Sequence, residues 1–169
     1  MNKTTLANDL ITFRPVTDED GEFLYNLYAS TRAEEMALTG WNENEVEGFL
    51  RVQFQLQHVQ YMENYKNGGT FEIILVDNTP AGRLYVQRKP DDIRVIDIAL
   101  LPEFRRKGTG SKILEELIAE ADRENLPLSL HVEQNNPALG LYENLGFQRK
   151  DLVGIYYFMQ RPPISQRDK

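Results

Sequence analysis

The sequence predicts a mixed α/β fold: one mostly antiparallel sheet of about seven strands, with helices on both faces. Three observations carry this. The first is Asp97-Ile98-Ala99-Leu100-Leu101-Pro102-Glu103-Phe104-Arg105-Arg106-Lys107-Gly108-Thr109-Gly110-Ser111, which reads as a buried strand, a proline stop, a basic glycine loop and a helix start. The second is a pair of hairpin patterns, at 70–87 and 147–159. The third is the order of segments, β-α-α-β-β-β-α-β-α-β-β, in which runs of helical period separate the strands.

Residues 10–14 form a short first strand, closed by Pro15. Thr17 then caps a helix with Asp20 at its third position, and Phe23, Leu24, Leu27 and Tyr28 give it an apolar stripe. Residues 31–40 fit either a loop or a helical extension. Asn42 can cap a second helix, to which Val46, Phe49, Leu50, Val52, Phe54, Leu56, Val59 and Tyr61 lend wide apolar surface. Gln53, Gln55, Gln57 and Gln60 are its polar faces, and Gly68-Gly69 breaks it. Strands at 70–76 and 81–87 join through Asp77-Asn78-Thr79-Pro80, and Lys89-Pro90-Asp91-Asp92 turns into the strand at 95–101. That strand is almost continuously apolar, as expected when both faces are covered, and Pro102 ends it because proline cannot donate to a ladder. Ile113, Leu114, Leu117, Ile118 and Ala121 then fall at helical spacing. A strand at 128–132, a short helix at 137–144 ended by Gly146, and a hairpin of 147–150 with 154–159 complete the order.

The 169 residues suit a single domain spanning 1–169, with frayed tails at 1–9 and 161–169. There is no run of 18 apolar residues to span a membrane and no apolar leader. With no cysteine for a disulfide or a thiol nucleophile, the chain reads as cytoplasmic. Two isolated histidines argue against a metal site. A net charge of −7 argues against nucleic acid as partner and suits an amine-bearing, cationic acceptor.

The basic triplet Arg105, Arg106 and Lys107 is the exception to that acidity. It precedes Gly108 and Gly110, which let a ligand approach the backbone, at a helix start whose free amides and positive dipole end favour phosphate. A dinucleotide loop would need a third glycine where Ile113 stands, and Gly110-Ser111-Lys112 has the wrong order for a Walker A loop. The pattern that fits is R-x-x-G-x-G, at Arg105, Gly108 and Gly110. Downstream, Asn135, Ala138, Leu141 and Tyr142 meet N-x-x-A-x-x-L-Y, followed by Leu145-Gly146-Phe147.

The two motifs, in this order, resemble motifs A and B of the GNAT superfamily of acetyl-CoA-dependent N-acetyltransferases, and the order of elements is similar over nearly the whole chain. The resemblance implies that the amides of the loop 105–111 hold the coenzyme A pyrophosphate. Ile98, Ala99 and Leu100 would flank the cofactor, with the backbone amide of Leu100 as oxyanion donor. Thr109 and Ser111 fall in the same loop. Tyr142 would be the general acid that protonates the departing thiolate. Either Asn135 or Asn136 would bond the pantetheine arm, since Val132 precedes one by three positions and the other by four. A homodimer is a further implication.

Acetyl transfer also needs a neutral amine, hence a base. Asp97 on the central strand and His131 on its neighbour are the two candidates, ahead of Glu133, Glu34 and Glu35. Trp41, Phe54 and Tyr61 are candidates for the acceptor pocket or, more plainly, for the core. No triad is present, so attack would be direct, within a ternary complex. The acceptor is left open between a small amine and a peptide or protein amine. The rival reading is a non-catalytic, coenzyme A-binding regulatory domain.

Overall fold

The structure, a computed structural model, describes residues 9–167. Seven strands form one sheet: β1 (Ile11–Pro15), β2 (Gly69–Val76), β3 (Thr79–Lys89), β4 (Asp92–Leu100), β5 (Leu128–Glu133), β6 (Gln148–Val153) and β7 (Tyr156–Arg161), in the order β1-β2-β3-β4-β5-β7-β6. The α-helices are α1 (Gly21–Thr31), α2 (Ala33–Ala37), α3 (Glu43–Asn64), α4 (Thr109–Glu124) and α5 (Leu139–Asn144). Neighbouring strands are antiparallel except β4 and β5, which are parallel. The mixed sheet expected from the sequence is present.

Strand alternation divides the interior between the two faces. Ile74, Val86, Val95 and Leu130 meet Ile113, Leu114 and Leu117 of α4 and Tyr142 of α5 on one side. Ile73 meets Leu24, Tyr28, Leu50 and Phe54 of α1 and α3 on the other. The uncertain segment 31–40 contains α2, whose Met36 is buried in that second cluster. Asn42 does cap α3: its side chain accepts from the Glu45 amide at 2.9 Å, and Glu45 reaches back to the Asn42 amide at 2.9 Å. The apolar surface of α3 is narrower than its composition implies. Leu50 and Phe54 are buried, but Val52, Leu56 and Val59 are 58%, 62% and 49% exposed, because they lie on the side turned from the sheet.

One boundary differs for an electrostatic reason. As far as Arg167 the C-terminal tail expected to fray from 161 is held: Arg161 closes β7, and Arg161 and Arg167 both bind the Asp122 carboxylate of α4, while 168–169 lie outside the described residues. The N-terminal tail lies, but for Asp9, outside the described residues.

Thr17 starts a 3₁₀ turn, Asp18–Asp20, which leads into α1. The Asp20 carboxylate accepts two bonds from Arg14 of β1, at 2.9 and 2.7 Å, and one from the Thr17 amide at 2.7 Å. Arg14 holds the Asp20 carboxyl at about 2, below the usual 3.8. Its folded value is therefore depressed, so its stabilisation is full above pH about 4 and is lost as pH falls toward 2. Discounted for solvent at Arg14, this amounts to about 1–2 kcal/mol. Asp20→Asn is expected to lower the urea midpoint at pH 7 and to flatten its decline between pH 4 and 2. An unchanged acid limb would show that the pair contributes nothing.

Candidate active site

The site begins where a ladder stops. β4 and β5 share three register pairs, Ile93↔Leu128, Arg94↔Ser129 and Val95↔Leu130, and no more. At the same point Val86 of β3 faces Val95 but Tyr85 faces Asp97, which leaves Ile96 as an extra residue. Such a bulge bends its strand. Beyond Ile96, β4 leaves β5 and an opening forms between 96–100 and 131–133.

The Leu101 amide donates to the Ala81 carbonyl of β3 at 2.8 Å. Successive amides of a strand point in opposite directions, so the Leu100 N–H is turned from β3 into the opening. That is the geometry an oxyanion donor needs.

The α4 N-terminus lies at the end of this strand. Its cap is Gly108 at φ 81, and no side chain bonds the first amides of the helix. No acidic residue lies in its first turn. Arg106 also has positive φ, at 60, and Arg106 and Lys107 are exposed. Thr109 is buried. Gly108 is required by its backbone; Gly110 is not, and a Cβ there would meet no atom within 4 Å. Lacking a Cβ in the first turn of α4, Gly110 leaves the backbone there open to close approach. Arg105 is oriented otherwise: its guanidinium bonds the Leu100 carbonyl at 2.8 Å and Ser30 Oγ at 3.1 Å.

On the other side, Tyr142 is 9% exposed and packs edge-on against Phe147, with ring centroids 5.9 Å apart. Its hydroxyl has no hydrogen-bond partner among the described residues and is not sealed from solvent. Burial, and then the charge of Asp97, push the phenol above its usual value, so it stays protonated at neutral pH. The two asparagines divide: Asn136 Oδ1 accepts from the Ala138 amide at 2.8 Å and shapes the entry to α5, while Asn135 has no such bond.

The two base candidates also divide. Asp97 is ion-paired with Arg83 and accepts from the Tyr61 hydroxyl at 3.4 Å. Arg83 itself is buried, bonded to Gln57 of α3 at 3.0 Å and flanked by the Tyr61 and Tyr85 rings. His131 is exposed, its ring 5.2 Å from that of Phe158. Burial of part of the ring, and then Arg94, hold it below the usual histidine value, so it is neutral at pH 7. Glu35 is occupied by Arg32, at 2.5 and 2.8 Å. Phe54 is core, Tyr61 packs on Tyr85, and Trp41 lies half exposed against Phe49.

Sequence reading missed Arg83, Ser30 and the bulge at Ile96. The signal for Arg83 was available: a lone charge inside the apolar strand Ala81–Val86 needs a buried partner. Ser30 and the bulge carry no local signature.

A sheet that opens beside a basic, uncapped helix start, with a buried phenol next to it, defines an acyl-CoA-dependent acyltransferase. Residues 6–147 match the model of the Acetyltransferase (GNAT) family, and the chain belongs to that family. An N-alpha-acetyltransferase of Saccharolobus solfataricus is 30% identical over 126 residues, 62% of this chain and 74% of that protein. A [ribosomal protein bS18]-alanine N-acetyltransferase of Salmonella typhimurium is 35% identical over 86 residues, covering 50% of this chain and 58% of that protein. The fold is similar to that of the PaiA N-acetyltransferase from Thermoplasma acidophilum, solved in complex with coenzyme A, with a TM-score of 0.66, 19% identity, and coverage of 90% of this chain and 99% of that one. Among the described residues no helix is long and apolar enough to cross a membrane, and no cluster of metal-ligating side chains occurs.

Gly110→Glu tests the loop. Glutamate suits a helix start, so the melting temperature of the free protein should hold or rise. Coenzyme A affinity, by calorimetry, is expected to fall at least about tenfold from charge repulsion and crowding. Unchanged affinity would displace the phosphate site from this helix.

Proposed function

We propose that this chain transfers the acetyl group of acetyl-CoA to the α-amine of a polypeptide, by direct attack in a ternary complex. The observation that carries the reading is the opening between β4 and β5, into which the Leu100 N–H is turned beside the α4 N-terminus and Tyr142. On this reading the amides at 108–111, with Arg106 and Lys107, hold the pyrophosphate, and Asn135 bonds the pantetheine arm. The Leu100 N–H stabilises the oxyanion as the amine nitrogen bonds the thioester carbon. Collapse of the tetrahedral intermediate breaks the C–S bond, and Tyr142 gives its proton to the thiolate.

His131 is the better base. Asp97 is engaged by Arg83, whereas His131 is neutral and faces solvent. A weak base also bears on the acceptor. Freeing an α-amine of pKa about 8 costs about 1.4 kcal/mol at pH 7, against about 4.6 kcal/mol for a lysine amine of pKa about 10.4. A histidine below its usual value fits the former. The named relatives, which act on α-amines, support the same class. Exposed Val153, Ile155 and Tyr156 at the turn between β6 and β7 suit a peptide trailing from the amine. The acidic excess of the chain favours a second reading, a small cationic amine. The lack of cysteine accords with work in the reducing cytoplasm.

Thiol release from acetyl-CoA, across a panel of peptide N-termini, polyamines and aminoglycosides, separates the two acceptors. If no amine of the panel elicits release, the non-catalytic, coenzyme A-binding reading is the one left standing. For the acid, Tyr142→Phe should leave coenzyme A affinity and melting temperature nearly unchanged while single-turnover rates fall about 10²–10⁴-fold. A rate within threefold of the parent would remove Tyr142 from the mechanism. For the base, kcat/KM should rise with pH through a value below about 6.5 and then level, and His131→Ala should abolish that limb.

A further inference from the structure

Arg105 opens the R-x-x-G-x-G pattern, yet its guanidinium does not join the basic residues at the helix start. Nε donates to the Leu100 carbonyl at 2.8 Å, and Nη2 donates to Ser30 Oγ at 3.1 Å. Ser30 in turn donates its hydroxyl hydrogen to the Leu27 carbonyl at 2.6 Å, which leaves its lone pairs for Arg105. Two of the three bonds run from the loop, one to the strand end and one to the helix, and the third stays within α1.

We infer that Arg105 is a positioning residue that ties the end of β4 to the end of α1, and is not a ligand of the cofactor phosphates. The inference rests on the placing of acyl transfer in the β4–β5 opening. Leu100 is the last residue of β4, and its carbonyl is on the side where no strand follows, so Arg105 satisfies a group the ladder leaves over. Ser30 lies in the last turn of α1, where a cation meets the negative end of the helix dipole. The planar fork of arginine reaches both acceptors from two nitrogens held in fixed directions, which the single nitrogen of lysine does not offer. The next turn of chain carries Arg32, which bonds the Tyr28 hydroxyl at 2.6 Å and Glu35 of α2. Ser30 therefore fixes the point from which α2 departs. One side chain sets the distance between the Leu100 amide and the α1–α2 wall. Arg106 and Lys107 remain to meet phosphate.

The test uses the full chain with Arg105→Gln, Arg105→Lys, Ser30→Ala and the Arg105→Gln/Ser30→Ala pair. Coenzyme A affinity by calorimetry should stay within about threefold in all four, with an unchanged salt slope. Turnover of acetyl-CoA, with the best amine of the panel, should fall about 10- to 100-fold in Arg105→Gln, the scale of a misplaced reacting group. Arg105→Lys and Ser30→Ala should lose less, and the pair no more than Arg105→Gln alone. Amide exchange at 29–32 and 100–104, measured without cofactor, should quicken in each variant. A coenzyme A affinity at least tenfold weaker in Arg105→Gln, with a shallower salt slope, would make Arg105 a phosphate ligand and overturn the inference. Exchange unchanged at 29–32 in Ser30→Ala would overturn it too. If the parent releases no thiol with any amine, the acyl-transfer reading fails, while the exchange arm still decides whether the tie exists.

Discussion

The parallel ladder between β4 and β5 ends after Val95, and the site exists because it ends. A sheet normally closes every such gap, since unpaired N–H and C=O groups are costly once out of water. Here two well-paired halves make the gap tolerable. β3 and β4 share eight register pairs, and β5 and β7 share six, so neither half depends on the β4–β5 ladder. α4 and α5 pack across one face and α1–α3 across part of the other, which holds the halves at a fixed separation. The extra residue Ile96 turns β4 aside at the one step where pairing must stop. Backbone groups left over in the opening are then available to an extended ligand, as at any free strand edge.

Charge is distributed to the same end. The chain is acidic, and most of its arginines are consumed in pairs: Arg14 with Asp20, Arg32 with Glu35, Arg51 with Glu22 and Glu47, Arg83 with Asp97, Arg88 with Glu120, Arg149 with Glu143, and Arg161 and Arg167 with Asp122. Arg106, Lys107 and Lys112 have no such partner among the described residues, and they surround a helix start that also lacks acidic side chains. A polyanion approaching this helix start meets positive charge that no carboxylate has already neutralised.

The fold was readable because its elements are locally marked. Asn42 with Glu45, the strand–Pro102–Gly108 sequence, and Gly146 each fix a boundary through backbone chemistry that needs no distant partner. The glycine loop and Tyr142 were readable for the same reason, since their motifs are continuous in sequence. What could not be read depends on pairs far apart in the chain. Asp97 looked like a free carboxylate because nothing nearby in sequence shows that Arg83 and Tyr61 lie against it. The C-terminal tail looked frayed because Asp122, which holds it, lies 45 residues from Arg167. The bond from Arg105 to Ser30 was equally invisible, because the two lie 75 residues apart in the chain.

The buried pair Arg83–Asp97 poses the last question, because a buried ion pair rarely stabilises a fold as well as apolar packing would. Arg83 is nearly sealed, yet its Nε and the Tyr85 hydroxyl have no partner among the described residues. That is expensive for stability alone. The pair does two things an apolar residue could not. Through Gln57 and Tyr61 it ties α3 to β3 and β4, next to the bulge that opens the sheet. It also holds the Asp97 carboxylate where, after burial, its charge is the second cause that raises the Tyr142 phenol above its usual value. A phenol so raised keeps its proton at neutral pH, the form that the proposed general acid must hold before the thiolate departs. Burial first, and then the charge of Arg94, lower His131 below its usual value. The two side chains proposed as acid and base thus each feel, besides burial, a charge on β4, of opposite sign for the two and on opposite sides of the residue where the strand bends.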